Sequence, residues 1–300
     1  MLDRAHAILS EEVMPAAPDD HPLWPGQASG TTTDDTAQSF LLARRLLIDG
    51  PVVDSSAWTR DLAAWVASED AAGRGAHIGP STRDAVLHPA ADGTGRPGTT
   101  NGSTMRVVPL GIALAGRPAL IAEAAVAAGR PAHDSDVAHA ASAAVAAAVA
   151  AGVAGGDMKS ALDAAAAAAN EAGKQGLRTG RSFAAKLSQA LTIAVPAADA
   201  PDAARLRAIH EIATRTGTGV EADQSVVVAF GIATLERRDA WRAARMGASL
   251  GGDADTMAGI AAAIVGATTG TLAPPTVLDY IDRRLIDEAV DVSEMLLRVT

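Results

Sequence analysis

The sequence contains no cysteine among its 300 residues. This absence excludes disulfides, thiolate metal sites and cysteine nucleophiles, and a zinc site would have to be built from seven scattered histidines. Basic residues are in short supply as well, because 25 Lys and Arg against 35 Asp and Glu give a net charge of −10. The chain therefore lacks the positive surface with which proteins bind phosphate backbones, and generic nucleic-acid binding is not expected.

The N-terminus lacks the basic end and the apolar run of a secretory signal peptide. Two uncharged stretches, residues 138–156 and 256–278, nevertheless reach membrane-spanning length. The first is mostly alanine, and the second is interrupted at Gly270 and at Pro274 and Pro275. We interpret both as buried helices and predict a cytoplasmic protein with no membrane partner.

Strand signals are scarce, and from Asp34 onward segments with helical periodicity alternate with short glycine or proline breaks. The β-branched run Ser225–Val228 also suits a buried helix. We predict an all-α protein with one domain, residues 31–300, folded as a mostly orthogonal helical bundle after an irregular lead-in, residues 1–30. Helices are predicted at residues 34–48, 56–69, 81–87, 104–114, 118–128, 136–151, 159–172, 183–191, 201–215, 224–236, 239–247, 256–265 and 276–297.

Two patterns known from other enzymes occur in the wrong context. Gly93, Gly95 and Gly98 match the spacing of a dinucleotide-binding loop, but no strand precedes them and Pro97 interrupts the pattern. Ser249 lies in a Gly-x-Ser-x-Gly sequence that follows a predicted helix, whereas a hydrolase nucleophile of this type follows a strand. Neither pattern predicts a function here.

Two acidic clusters are the candidate functional residues of this sequence. The first is Thr33-Asp34-Asp35-Thr36 and the second is Gly251-Gly252-Asp253-Ala254-Asp255-Thr256. Such residues often cap helix N-termini. Asp253 and Asp255 would not share a face within a helix, but in a turn that begins with two glycines both carboxylates can converge on one point.

Converging carboxylates indicate a divalent cation, because Mg²⁺ prefers oxygen ligands. The four aspartates Asp34, Asp35, Asp253 and Asp255 carry a charge of −4, which would balance two Mg²⁺ ions. The hydroxyls of Thr33 and Thr256 are candidates to complete the ligand shells. Without metal, clustered carboxylates repel one another and some must bind protons.

The two clusters, in this order, resemble those of the ADP-ribosylglycohydrolase family, which includes the dinitrogenase-reductase-activating glycohydrolases. The resemblance extends over residues 26–298. It includes two further segments that the family shows between the clusters, Asn101-Gly102-Ser103-Thr104-Met105-Arg106 with Pro109-Leu110-Gly111, and His133-Asp134 before an alanine-rich helix.

The resemblance implies a helical hydrolase with a binuclear Mg²⁺ site, for which Mn²⁺ is a possible substitute. The metals would orient the ribose of an ADP-ribosyl group while its glycosidic bond at the anomeric carbon is hydrolysed. Asp34 or Asp35 would act as the catalytic acid or base. The substrate would be bound by Asn101, Gly102, Ser103 and His133, and Arg106 would pair with a helix end or a substrate phosphate.

Several alternatives stay open at this stage. As an enzyme, the chain would act on an ADP-ribosylated protein or small molecule, or on another riboside such as a nucleoside. Alternatively, the chain is a non-catalytic relative that binds ADP-ribose or metal. The family's first helix, with its Gly-Asp-Ala-x-Gly motif, is not recognised in residues 1–30, where Glu11 and Glu12 are the available acidic residues. The sequence predicts neither the leaving group nor the oligomeric state.

Overall fold

A computed structural model of the protein describes residues 25–89 and 95–299, together with residues 16, 19 and 20. These residues form no strand, and the all-α prediction is confirmed. Two short 3₁₀ turns lie at Gly75–His77 and Asn101–Ser103. The helices are α1 (Asp34–Asp49), α2 (Ser55–Ala71), α3 (Pro80–Leu87), α4 (Val108–Ala113), α5 (Pro118–His133), α6 (Asp136–Val153), α7 (Met158–Ala172), α8 (Phe183–Ala197), α9 (Asp202–Thr216), α10 (Ala222–Leu235), α11 (Ala240–Ser249), α12 (Ala254–Thr269), α13 (Pro275–Leu278) and α14 (Arg283–Leu296).

Two helices that are buried on all sides, α6 and α10, form the centre of the core. Helix α6 packs against α4, α5, α7 and α12, and α10 packs against α8, α9, α11 and α12. Most side chains of α6 are alanine, which favours the helix and leaves little distance between it and its neighbours. Helix α6 is long and apolar enough to span a membrane, but 89% of it is buried inside the protein. The interpretation of this stretch as a core helix is confirmed.

Helix α1 lies beside the core and packs against α2, α4 and α14. Helix α12 packs against α6, α10 and α11. It ends at Gly270, whose left-handed backbone turns the chain away. The second apolar stretch, residues 256–278, is therefore interrupted at Gly270, as its sequence predicts.

Two predicted helices begin in the wrong place or divide, and two others, α5 and α8, extend five and six residues past their predicted ends. The helix predicted at residues 104–114 begins only at Val108, because Pro109 has no backbone N–H to donate and is favoured in the first turn. The helix predicted at residues 276–297 is two helices, α13 and α14. The side chain of Asp282 accepts a hydrogen bond from the backbone N–H of Arg284, and so caps a new helix there.

The front of the described chain is irregular, since residues 25–33 form turns and extended backbone before α1. Glu11, Glu12 and the rest of residues 1–15 lie outside the described residues, so the lead-in stays a prediction over that part.

We expect the packing around α6 to make it sensitive to added volume. Ala144 is completely buried, whereas Ala166 on the neighbouring α7 is exposed. Ala144→Leu should lower the free energy of unfolding by about 1–3 kcal/mol, because a well-packed core has no room for the larger side chain. Denaturant unfolding measures the change. Ala166→Leu is the matched control and should stay near wild type; equal losses in the two variants would contradict tight packing at α6.

Candidate functional site

The two acidic clusters meet where α1 and α12 begin. Asp34 and Asp35 are the first residues of α1, and Asp255 lies in the first turn of α12. The hydroxyl of Thr256 donates a hydrogen bond of 2.9 Å to Oδ2 of Asp35, which joins residues 221 positions apart in the chain. The free amides and the dipole at each helix N-terminus favour negative charge there. The structure thus brings the two clusters together.

The second cluster is shaped by its glycines. Gly251 and Gly252 both have φ near +71°, a left-handed conformation that other residues rarely adopt. The turn directs the backbone N–H of Asp253 to the carbonyl oxygen of Thr218, at 2.8 Å. Asp253 is the residue before α12, yet its side chain makes no capping hydrogen bond. Its carboxylate is therefore available to other groups.

Asn101 connects a third segment to this carboxylate. Its Nδ2 donates hydrogen bonds to Oδ2 of Asp253 and, at 2.7 Å, to Oγ of Ser225. The backbone N–H of Asn101 donates to the carbonyl of Val220 at 2.8 Å. Asn101 is predicted to bind substrate together with Gly102 and Ser103, and in the structure its side chain binds the carboxylate of Asp253.

Ser103 and His133 lie behind the same loop. Ser103 is completely buried and its hydroxyl accepts a hydrogen bond of 2.9 Å from Ser142. His133 is 1% exposed, and its Nε2 lies 3.0 Å from Oγ1 of Thr100. A Cβ on Gly102 would lie only 2.8 Å from this ring nitrogen, so the backbone runs directly over the imidazole. Ser103 and His133 support the loop from inside, and their contact with substrate stays a prediction.

Burial and mutual repulsion change the acidity of the site. Burial, followed by the charge of Asp255, raises the pKa of Asp34 to about 6. Burial and the charges of Asp255 and Asp34 raise the pKa of Asp35 well above its ordinary value, although the hydrogen bond from Thr256 opposes this. Burial also raises the pKa of Asp253, against the hydrogen bond from Asn101. The carboxylates are therefore brought close together with little compensating charge.

The side-chain oxygens of the two clusters suit a hard divalent cation, which prefers carboxylate and hydroxyl oxygens as ligands. A cation would also remove the repulsion that raises these pKa values. Within the ranges that the structure describes, no three acidic or histidine side chains are arranged closely enough to hold an ion. One oxygen each of Asp35 and Asp253 is already engaged, by Thr256 and Asn101. The residue types fit a cation, and enclosing one requires side-chain rearrangement.

A cavity of about 440 Å³ opens beside Asp35 and Asp255. Thr33 and Thr256 also line it, and the side chain of Thr33 makes no capping hydrogen bond to α1. Apolar side chains from α1, α4, α12 and α14 form other parts of its wall, among them Phe40, Val108, Ile112, Ile260, Val292 and Leu296. The cavity offers room for a small molecule next to the carboxylates.

Three residues that hydrogen-bond to the site residues are not predicted from the sequence motifs. Gln38 donates from Nε2 to Oδ2 of Asp34 at 3.1 Å, and its spacing of four residues on α1 is the signal that could have identified it. Thr218 acts through its backbone carbonyl, for which the sequence carries no signal. The hydroxyl of Ser225 accepts a hydrogen bond from Asn101, but Ser225 is distant from the motifs along the chain. Arg106 is completely buried against Gln38, so its predicted pairing with a helix end or a substrate phosphate is wrong for this structure.

Comparisons with known proteins agree with these features. The model of the ADP-ribosylglycohydrolase family matches residues 3–299. The uncharacterized protein YegU of Escherichia coli strain K12 is 32% identical over 248 residues, which cover 79% of this chain and 71% of that protein. A solved structure of an ADP-ribosylglycohydrolase-related protein complex superposes with a TM-score of 0.63 at 22% identity, over 99% of this chain and 96% of that one. At that identity the superposition establishes the fold.

We expect Gly252 to be far less replaceable than Gly251. Alanine at either position costs about 1–2 kcal/mol for the left-handed backbone. At Gly252 its Cβ would also lie 2.2 Å from the carbonyl oxygen of Thr218, whereas nothing lies within 4 Å at Gly251. Gly252→Ala should therefore lower the free energy of unfolding by clearly more than Gly251→Ala, as measured by denaturant unfolding. Equal effects would show that the contact with Thr218 adds no constraint.

We also expect an unusual pH dependence without metal. Because the pKa of Asp34 rises from 3.8 to about 6, the folded protein binds more protons than the unfolded chain between these values. This contribution makes the fold less stable as pH increases through that window, and the full cost is present above pH 6. Asp34→Asn should thus stabilise the protein in EDTA at pH 7.5 but have little effect near pH 4.

Unfolding titrations at the two pH values measure this difference. Asp54→Asn is a control of opposite sign, because hydrogen bonds from the backbone of Ala57 and Ser56 lower the pKa of Asp54. A stability gain for Asp34→Asn of equal size at both pH values would contradict the role of ionisation.

Proposed function

This chain belongs to the ADP-ribosylglycohydrolase family and is a hydrolase of the glycosylase type, and we propose that it removes ADP-ribose from a modified protein or small molecule in a Mg²⁺-dependent reaction. One observation carries the proposal: the hydrogen bond from Thr256 to Asp35 joins the two acidic clusters beside a cavity. We further propose that it acts in the cytoplasm, in line with its sequence.

The metal ligands in this proposal are the oxygen-bearing side chains of both clusters. They are Thr33, Asp34, Asp35, Asp253, Asp255 and Thr256. When bound, two Mg²⁺ ions, or Mn²⁺ in their place, would supply positive charge that orients the ribose hydroxyls. The raised pKa values of Asp34, Asp35 and Asp253 support this assignment, since they reflect carboxylates in need of a counter-charge.

The chain's own carboxylates would handle the protons. Hydrolysis breaks the bond between the anomeric carbon and the leaving nitrogen or oxygen, and forms a bond from that carbon to a water oxygen. One carboxylate takes the proton that the water loses, and the leaving group gains a proton. Asp34 and Asp35 are the candidates for acid and base, because they begin α1 at the point where the hydrogen bond from Thr256 joins the two clusters. Thr256 would hold Asp35 in a fixed orientation.

Asn101 would support the site from the other side. By binding Asp253 and Ser225 together, it fixes the second cluster relative to the loop that precedes α4. Gly102, Ser103 and His133 would shape this loop where the substrate binds. His133 would serve as a neutral group, because burial lowers its pKa well below the ordinary value.

The substrate class is tested by a panel. ADP-ribosyl-arginine, ADP-ribosyl-serine and ribonucleosides are each incubated with the protein, with Mg²⁺ or with EDTA. Release of ADP-ribose that needs Mg²⁺ supports the proposal and identifies the leaving group. Release of ribose from nucleosides alone would assign another riboside as substrate. Binding of ADP-ribose with no turnover of any compound would identify a non-catalytic relative.

We expect Asp255→Asn to weaken Mg²⁺ binding and to lower turnover by at least about 100-fold, because it removes a charge on which both clusters depend. Calorimetric titration measures binding, and the release assay measures turnover. Asp291→Asn removes an exposed aspartate on α14 and is the matched control. In wild type, Mg²⁺ at 100 times its Kd should also add about 2.7 kcal/mol of stability. Wild-type Mg²⁺ affinity in Asp255→Asn would refute a shared site.

A further inference from the structure

Arg106 is a completely buried cation with an incomplete set of partners. Its guanidinium lies 5.4 Å from the centre of the Trp58 ring, and Nη1 donates a hydrogen bond to Oε1 of Gln38. Among the described residues, Nε and Nη2 are buried without a hydrogen-bond partner, and the charge of Asp34 attracts Arg106 without a direct hydrogen bond between them. Burial lowers the pKa of Arg106 to about 10, so the group stays charged at neutral pH. Keeping a charge in such a place is costly and calls for a reason.

Gln38 connects this charge to the acidic site. Its amide accepts from Arg106 through Oε1 and donates through Nε2 to Oδ2 of Asp34. Only this orientation satisfies both neighbours, since a reversed amide would place its NH₂ against the guanidinium and its carbonyl against the carboxylate. Arg106 therefore determines which way the Gln38 amide points. The amide in turn determines which oxygen of Asp34 is engaged.

We propose that Arg106 is a positioning residue that acts through Gln38 on Asp34. The pair holds Oδ2 of Asp34, so that Oδ1 is the oxygen left for a cation. This inference rests on the proposed function, in which Asp34 is a metal ligand. Partners of this kind, one step behind the ligand, commonly contribute about 10–100-fold to metal affinity or activity.

The test uses Mn²⁺ alone as the probe and measures its binding by electron paramagnetic resonance. Gln38→Met and Arg106→Met remove the hydrogen bonds at similar side-chain length, and each should raise the Kd for Mn²⁺ by about tenfold or more. The double variant should lose clearly less affinity than the product of the two single losses, because both residues act mainly through one chain of contacts. Arg106→Lys keeps the charge and one donor, and should recover most of the affinity.

A purely structural role predicts a different result. Glu236→Gln removes another buried charge, just beyond the end of α10, about 17 Å along that helix from Ser225. It should lower the melting temperature without changing the Kd for Mn²⁺. If Arg106→Met and Gln38→Met behave like this control, the positioning role is overturned. If Arg106→Met does not fold, Gln38→Met and Arg106→Lys decide the question.

The outcomes separate this inference from the proposed function. Wild-type protein that binds Mn²⁺ and releases ADP-ribose, with Gln38→Met at wild-type affinity, would overturn the positioning role alone. Wild-type protein that neither binds Mn²⁺ nor hydrolyses any compound of the panel would overturn the proposed function and this inference with it. A tenfold loss in Gln38→Met with recovery in Arg106→Lys supports both.

Discussion

The distance at which helices can approach α6 is the constraint on which the rest of the structure depends. Alanine sets that distance, because a methyl group is the smallest side chain that still favours a helix. With α4, α5 and α12 packed on one narrow helix, the segments that precede α4 and α12 are brought close to each other. Helix α1 packs against α4, and its first residues reach Thr256 at the start of α12. The candidate site is a consequence of this packing.

The same packing creates an electrostatic cost. Helix N-termini favour negative charge, but two of them side by side bring four aspartates together in a partly dehydrated place. The resulting rise in the pKa of Asp34 and Asp35 destabilises the metal-free fold at neutral pH. The convergence of the carboxylates therefore favours binding of a cation at this site.

Neutral hydrogen-bonding groups make the arrangement tolerable. Thr256 and Asn101 each donate to one carboxylate, and Gln38 donates to a third. The positive charge of Arg106 attracts Asp34 from behind Gln38, whose amide bonds to both groups. A direct ion pair would neutralise a carboxylate that the proposed metal needs. An amide between them orients the carboxylate and leaves its charge available.

The sequence by itself determined the fold class, the position of most helices and the two acidic clusters. These features are local, since periodicity, glycine and proline breaks and short motifs act over a few residues. Two helices were placed wrongly where Pro109 and Asp282 set a start that periodicity alone did not reveal. The sequence predicts that Arg106 pairs with a helix end or a substrate phosphate, whereas in the structure it is buried against Gln38. Only the tertiary structure decided that Thr256 meets Asp35, that Ser103 and His133 lie behind the Asn101 loop, and that Arg106 meets Gln38. These contacts join residues through packing and burial, and neither quantity is encoded within a short stretch of chain.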